Sequence, residues 1–418
     1  MRRNVIPKIT THPIGKRRHN TTTTITIQKE QEIKKKIDSI LFLSPTLWPE
    51  PNSSAAGVRT TQLLCHFANT VGVSHVSYGS GANLPSSSSS SRSSNNATKE
   101  AAHHTMQHLT SQYNISFLHI PPNNAALIQS SLASSLLPND DNDNEAKKKN
   151  IVIFDRFFAE EAYSFHIRKH HPSTLRVLDM QDMHSLRAAR SDLVQSFRHG
   201  QQPPPFTHTK TKMTQAFMKE IMTYIPSSSS SSSFSSSKVS LKSQDIFLRE
   251  MASIHRSDVI LVCSPYEKYL LQYVYNVPSF KLVLAPFFTT PVPHMHTTST
   301  SSSSSSSLYD YNARSDFVVL GGYKHPPNVD SIHYLQHEIW PLIRSKLPHV
   351  NVHVYGAYSP STLQKQQRRK RLNQQHHHDD DDGFYIKGYV HNLEEELGKR
   401  RVLLAPLRYG AGIKGKIV

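Results

Sequence analysis

Near the carboxyl end, Ala405 to Val418 reads APLRYGAGIKGKIV, a short strand end followed by a glycine-rich turn that also carries three cations. Gly410, Ala411 and Gly412 let the backbone approach an anion and turn N–H groups toward it. Arg408, Lys414 and Lys416 add cationic heads around the same spot, the first as a planar fork and the others as point charges. Together they suit a diphosphate. Gly410, Gly412 and Gly415 also fit the spacing G-x-G-x-x-G. The dinucleotide reading of that spacing needs an acid about 20 residues further on, whereas only three residues follow Gly415. The glycines alone would favour a plain helix cap; with the cations they favour the diphosphate.

Two further groups can do chemistry. In LDMQDMHS, Asp179, Asp182 and His184 follow an apolar run that reads as a strand. Open α/β sheets place ligands at the carboxyl ends of their strands, so Asp182 and His184 are candidates for orienting a hydroxyl or handling its proton. The competing reading has Asp182 capping the next helix, His184 packed in its first turn and Arg187 at the surface. Gly321, Gly322, Lys324, His325 and Asn328 stand between another strand and helix, with Pro326 and Pro327 starting the helix.

The elements that must position these groups alternate. Candidate strands run Ser39 to Leu43, Val73 to Tyr78, Ser116 to Ile120, Ile151 to Phe154, Leu175 to Asp179, Val259 to Cys263 and Lys281 to Leu284. Helical stretches separate most of them, among them Val58 to Val71 and Phe247 to His255. The pattern restarts with strand Phe317 to Leu320, helix Asn328 to Leu347, strands Val350 to Tyr355 and Phe384 to Ile386, helix Asn392 to Lys399 and strand Val402 to Leu404. Short apolar runs alternating with 3.6-residue patterns predict βαβ units on parallel sheets, an α/β fold. Tracts at Pro85 to Asn96, Asn139 to Asn150, Ser227 to Ser237, Thr297 to Ser307 and His376 to Asp382 lack apolar side chains and are expected to be disordered surface insertions. The domains expected are a disordered basic tail at 1–38, a Rossmann-like unit at 39–288, a Ser/Thr-rich linker at 289–315 and a second Rossmann-like unit at 316–418, smaller than is usual and incomplete.

Composition narrows the classes. The net charge is +17, but residues 1–38 carry ten Lys or Arg against three acids, so much of the charge sits in the tail rather than on a folded groove. Specific nucleic-acid binding is therefore not expected. Two cysteines, Cys65 and Cys263, in separate apolar stretches suit a reducing compartment and free thiols. The longest apolar runs fall far short of the ~18 residues that span a bilayer, which leaves peripheral membrane contact open. The cytoplasm is the expected location; an acid-free, Thr-rich start leaves organelle targeting open.

Several stretches carry a resemblance to one family. LFLSPTLWPEPNSSAAGVRTTQLL (Leu41 to Leu64), LRVLDMQDMHSLRAAR (Leu175 to Arg190), REMASIHRSDVILVCSPYEKYLL (Arg249 to Leu271), LGGYKHPPNVDSIHYL (Leu320 to Leu335) and IKGYVHNLEEEL (Ile386 to Leu397) resemble, in order, nucleotide-sugar-dependent glycosyltransferases of the GT-B fold, group 1, family-4-like. The resemblance implies two Rossmann-like domains facing a cleft, the first on the acceptor side and the second on the nucleotide-sugar side. It implies transfer from a nucleoside diphosphate sugar to an acceptor hydroxyl, with retention, no metal and no cofactor beyond the sugar donor as co-substrate. Arg408, Gly410, Ala411, Gly412, Lys414 and Lys324 would then hold the diphosphate, and Ala56, Gly57, Arg59 and Gly322 would line the cleft. In relatives the motif continues beyond GIKGKIV to a Glu that holds the ribose, so a truncated and inactive copy is one expectation. A noncatalytic degenerate transferase or a polyanion binder is the alternative.

Overall fold

The computed structural model of the chain describes residues 37–52, 54–69, 73–84, 94–136, 149–199, 219, 221–226, 239–287, 311–360, 382–390 and 392–413. Most of the tail, of the Ser/Thr and acidic tracts and of the linker, and Lys414, Gly415 and Lys416 of the glycine-rich motif, lie outside the described residues.

The first domain is a seven-stranded, all-parallel sheet in the order β3-β2-β1-β4-β5-β6-β7. Its strands are β1 (Ser39–Ser44), β2 (His75–Ser80), β3 (Ser116–His119), β4 (Asn150–Asp155), β5 (Leu175–Asp179), β6 (Val259–Val262) and β7 (Leu282–Leu284). Six helices pack against them: α1 (Ala55–Asn69), α2 (Ser94–Tyr113), α3 (Ala125–Ser135), α4 (Phe157–His170), α5 (His184–His199) and α6 (Leu241–Arg256), with the short α7 (Pro265–Tyr269) leading into a π turn. Successive side chains of a strand point to opposite faces. Leu41 and Leu43 accordingly join the core under α3 and α4, while Ile40 and Phe42 join Leu63, Leu64, Met106 and Leu109 of α1 and α2. A sheet covered on both faces explains why its strands read as continuous apolar runs.

The second domain holds a parallel four-stranded sheet ordered β10-β9-β8-β11. Its strands are β8 (Ser315–Leu320), β9 (Val352–Tyr355), β10 (Phe384–Gly388) and β11 (Arg400–Leu403), and its helices α8 (Pro326–Tyr334), α9 (Trp340–Lys346) and α10 (Leu393–Gly398). The predicted helix Asn328 to Leu347 is interrupted by a π turn, Leu335–Ile339. Pro341 sits just beyond it; a proline removes one N–H and crowds the preceding turn, and a widened turn relieves both. On the edge strand β11, Val402 and Leu403 keep about 40% of their surface exposed.

Both sheets reverse direction of growth once, between β1 and β4 in the first and between β8 and β11 in the second. Ligands of open α/β sheets bind in the crevice outside the carboxyl ends at such a reversal. Gly321 to His325 follow β8 and the glycine-rich turn follows β11, so the two motif loops of the second domain flank its crevice.

One buried ion pair ties the first domain's crevice together. Arg59, with no exposed surface, donates from Nε (3.1 Å) and Nη2 (2.9 Å) to Asp179 at the end of β5, and from Nη1 to the carbonyls of Ala285 (2.6 Å) and Pro286 (3.1 Å) beyond β7. Replacing Arg59 by Leu strands the Asp179 carboxylate, and a loss of about 3–5 kcal/mol in urea unfolding is expected. Arg59→Lys, which has no fork, should recover only part of it. A Leu variant as stable as the wild type would contradict this role.

Candidate functional site

Asp179, Gln181, Asp155 and Arg156 form a chain of contacts along the carboxyl edge. Gln181 Nε2 donates to Asp179 Oδ2 (3.1 Å) and Asp155 Oδ1 (3.3 Å), and Arg156 forks onto Asp155 at 3.1 and 2.7 Å. Arg156 (φ 71°) and Gln181 (φ 63°) both adopt left-handed backbone, which costs roughly 1–3 kcal/mol each for side chains of this kind and gathers at functional sites. Sequence reasoning missed both. Their side chains carry no signal of strain; only the strand ends at Asp155 and Asp179 pointed to the place.

The next residues are the predicted pair. Asp182 accepts from Arg187 and lies 3.3 Å from His184 Nε2. Burial raises its carboxyl, but Arg187, His184 and His325 together outweigh this and hold it below the usual range. His325 belongs to the second domain, so Asp182 stands where the domains meet. His184 stands edge-on to the rings of Phe157 (5.5 Å) and Phe158 (5.8 Å), and burial first, then Arg187 and Arg156, pushes its imidazole down to about 3 despite Asp182. Its imidazole is neutral at physiological pH. Asp182 does not cap α5: the first N–H groups of that helix, on His184 (2.9 Å) and Ser185 (3.0 Å), are taken by the carboxylate of Glu250 on α6.

Across the interface lies the glycine turn, with Gly412 at φ 66°. A Cβ added there would come within 2.8 Å of Asp182 Cβ and 3.3 Å of Gln181 O, so only glycine permits this approach. Gly412 N–H donates to Glu267 Oε1 at 2.5 Å, and the Gly410 carbonyl accepts from Arg190 Nη1 at 2.9 Å. Tyr409 is buried with Ala189, Leu193 and Val194 of α5, and Ala411 packs against the first domain's core. The structure thus brings Asp182, His184, Gly410, Ala411 and Gly412 into one place.

Other expected site residues sit differently. Arg408 is not a free cation: 3% exposed, it is forked onto Asp330 (Nε to Oδ2 2.9 Å) and lies 4.7 Å over the Tyr334 ring. Arg59 lends no charge to the cleft, because Asp179 neutralises it. Gly57 answers to its own chain: a Cβ there would lie 2.2 Å from the Glu50 carbonyl oxygen, so its smallness serves the close approach of α1 to that loop. Ala56 beside it is half-buried. Lys324 is exposed, its Nζ 3.5 Å over the Tyr358 ring, while the Tyr358 hydroxyl donates to Glu50 across the interface. Gly322 gives its carbonyl to Asn328 Nδ2 at 3.2 Å, which closes the loop before α8. Lys414 lies outside the described residues.

Another opening of about 770 Å³ lies where α1 and α2 meet Tyr389 of the second domain, with Cys65, His104, His108 and Tyr113 among its walls. Among the described residues no group of three or more His, Cys, Asp or Glu is placed to hold a metal ion, and no helix is long and apolar enough to cross a membrane.

Two parallel α/β sheets, each turning its reversal point toward the other domain, define a two-domain Rossmann-like architecture of the GT-B kind. Residues 314–418, which hold the second sheet and the glycine turn, match the family described as glycosyl transferases group 1. That segment is a glycosyltransferase domain, and the chain is a transferase. Solved structures similar in fold include a glycosyltransferase from Rickettsia africae (10% identity, covering 88% of this chain and 73% of the other, TM-score 0.41). Anabaena Alr3699/HepE, solved with UDP and glucose, is similar at 12% identity over 88% of this chain and 73% of its own, TM-score 0.40. Trehalose-6-phosphate synthase OtsA shares 9% identity over 90% and 80%, TM-score 0.39. No curated protein matches the chain.

Two outcomes are expected here. Burial pushes the Glu250 carboxyl from the ordinary 4.5 up to about 7, against its bonds from Ser185 and His184. Between those values the folded chain keeps a proton that the unfolded chain releases. Stability therefore falls as pH rises through this window, by on the order of 1 kcal/mol per unit. Glu250→Gln cannot titrate, so its melting temperature should decline less between about pH 5 and about pH 7; superimposable profiles would contradict the assignment. The second concerns the thiols. Cys263 is 1% exposed and burial pushes it up to about 12, whereas Cys65 is only half-buried on the cavity wall. A maleimide should label Cys65 alone in the native chain and both cysteines after denaturation, as peptide mapping would read.

Proposed function

We propose that the chain transfers a glycosyl group from a nucleoside diphosphate sugar to an acceptor hydroxyl, with retention at the anomeric carbon. The meeting of the glycine turn with Gln181 and Asp182 carries this reading: phosphate-suited backbone of one domain packs against the chain at Gln181 and Asp182 of the other, and the Asp182 carboxylate lies beside His184. The group 1 match over 314–418 includes that turn.

In the reaction the bond between the anomeric carbon and the diphosphate oxygen breaks, and its electron pair leaves with the diphosphate. The acceptor oxygen bonds to that carbon, and its proton passes to the departing phosphate oxygen on the same face. Asp182 orients the hydroxyl, and Arg187 holds its carboxylate in place. Negative charge grows on the diphosphate as it leaves, so N–H dipoles of the turn with Lys414 and Lys324 favour the transition state over the ground state. Arg408 shapes the turn through Asp330 rather than meeting phosphate directly. With cations in this role the proposal needs neither metal nor resident cofactor. Two free thiols suit a reducing compartment, and we place the protein in the cytoplasm.

UDP or GDP should raise the melting temperature of the full chain; a ligand at about 100 times its Kd stabilises by about 2.7 kcal/mol. Lys414→Ala should remove most of that shift. Asp182→Asn should keep the shift and lose about 100-fold in transfer rate. No shift with either nucleotide would overturn the reading.

A further inference from the structure

On the side suited to an anion, the glycine turn already has a carboxyl group. Glu267 lies on α7, 1% exposed, and reaches across the domain interface to accept the Gly412 N–H through Oε1 at 2.5 Å. The Met183 N–H also faces this carboxyl, while its other oxygen, Oε2, makes no hydrogen bond of normal geometry among the described residues. Arg190 holds the same turn from the opposite side, taking the Gly410 carbonyl with Nη1 (2.9 Å) and the Met222 carbonyl with Nη2 (2.8 Å). Carboxylate and phosphate oxygens have the same acceptor chemistry toward an amide N–H at a turn. A single amide hydrogen serves one close acceptor, so a phosphate oxygen on Gly412 and the Glu267 oxygen claim the same position.

We propose that Glu267 is a positioning residue and an internal stand-in for the donor: it holds the turn in register against Asp182, and the diphosphate displaces it from the Gly412 N–H on binding. This rests on the nucleotide-sugar reading above and adds to it an exchange of one oxygen acceptor for another. The site makes the exchange easy in one direction. Burial, and then the neighbouring Asp182, push the Glu267 carboxyl up to about 8, so its charge is poorly tolerated where it lies and it is a weak holder of the N–H. Leaving the amide costs it little. The turn meanwhile stays anchored by Tyr409 and Arg190, neither of which occupies the amide.

Isothermal titration with UDP and with GDP, using the full chain, tests this. Glu267→Gln keeps shape and an acceptor oxygen but never carries the charge, so above about pH 8, where the wild-type carboxyl is ionised, it weakens the competitor and should tighten binding several-fold. Glu267→Ala removes it and should tighten binding by up to about tenfold, the net value of one ordinary hydrogen bond. In transfer assays both variants should show a lower donor KM together with a lower kcat, because the turn is bound more readily but held less well. A purely structural Glu267 gives the opposite sign, weaker binding with kcat and KM degraded together. Should the Ala variant fail to fold, the near-isosteric Gln variant still decides the sign. Wild-type binding that neither variant improves overturns the exchange alone. Failure of the wild type and of both variants to bind either nucleotide overturns the donor reading, and the exchange with it.

Discussion

A guanidinium without exposed surface is tolerable only when its donors are met, and Arg59 meets four acceptors: both oxygens of Asp179 and two backbone carbonyls. Three separated parts of the first domain, α1, the end of β5 and the chain leaving β7, are fastened at this point. Asp179 then passes the constraint on. It holds Gln181, Gln181 reaches Asp155, and Asp155 holds Arg156, so the carboxyl edges of two neighbouring strands are set by a network with no slack. The left-handed backbone at Arg156 and Gln181 is sustained by these bonds and by the Arg156 N–H on the Asp179 carbonyl at 2.9 Å. Asp182 and His184 project from the end of that network, and their placement depends on it.

Glu250 completes the arrangement from below. Helix α5 begins directly at His184, and its leading N–H groups need acceptors. A carboxylate supplied by α6, rather than a local cap, satisfies them and locks the two helices together, with the Ser185 hydroxyl donating to the same carboxylate at 2.5 Å. The dipole at the start of α5 favours a negative charge at this position, which opposes part of the desolvation cost.

The strands were legible because a parallel sheet buried on both faces needs unbroken apolar runs, and seven such runs in the first domain and four in the second became its strands. The glycine turn was legible because no other residue type suits a φ of 66° against a neighbouring side chain. Charged partners were not. Glu250, Glu267 and Asp330 stand on helices where a lone acid normally means a solvated face. Their partners are 65, 145 and 78 residues away, beyond any local pattern. Glu250 left one clue, since it shares the buried side of its helix with Phe247, Ser253 and Ile254, and a charge on an apolar stripe must be paired. Arg408 looked available for the same reason: sequence displays a cation but not the acid that claims it.

The two domains meet with unequal firmness along their shared face. At the turn, separation would expose the Tyr409 ring, worth roughly 1.5–3 kcal/mol of apolar burial, and break hydrogen bonds from Arg190 and to Glu267. At the Tyr358 end, the described contact between the domains is the Tyr358 hydroxyl on Glu50. Among the described contacts the interface is thus firmer at the glycine turn than at Tyr358. Electrostatic stabilisation requires dipoles fixed before charge develops. A turn anchored in this way has its amides fixed against the first domain.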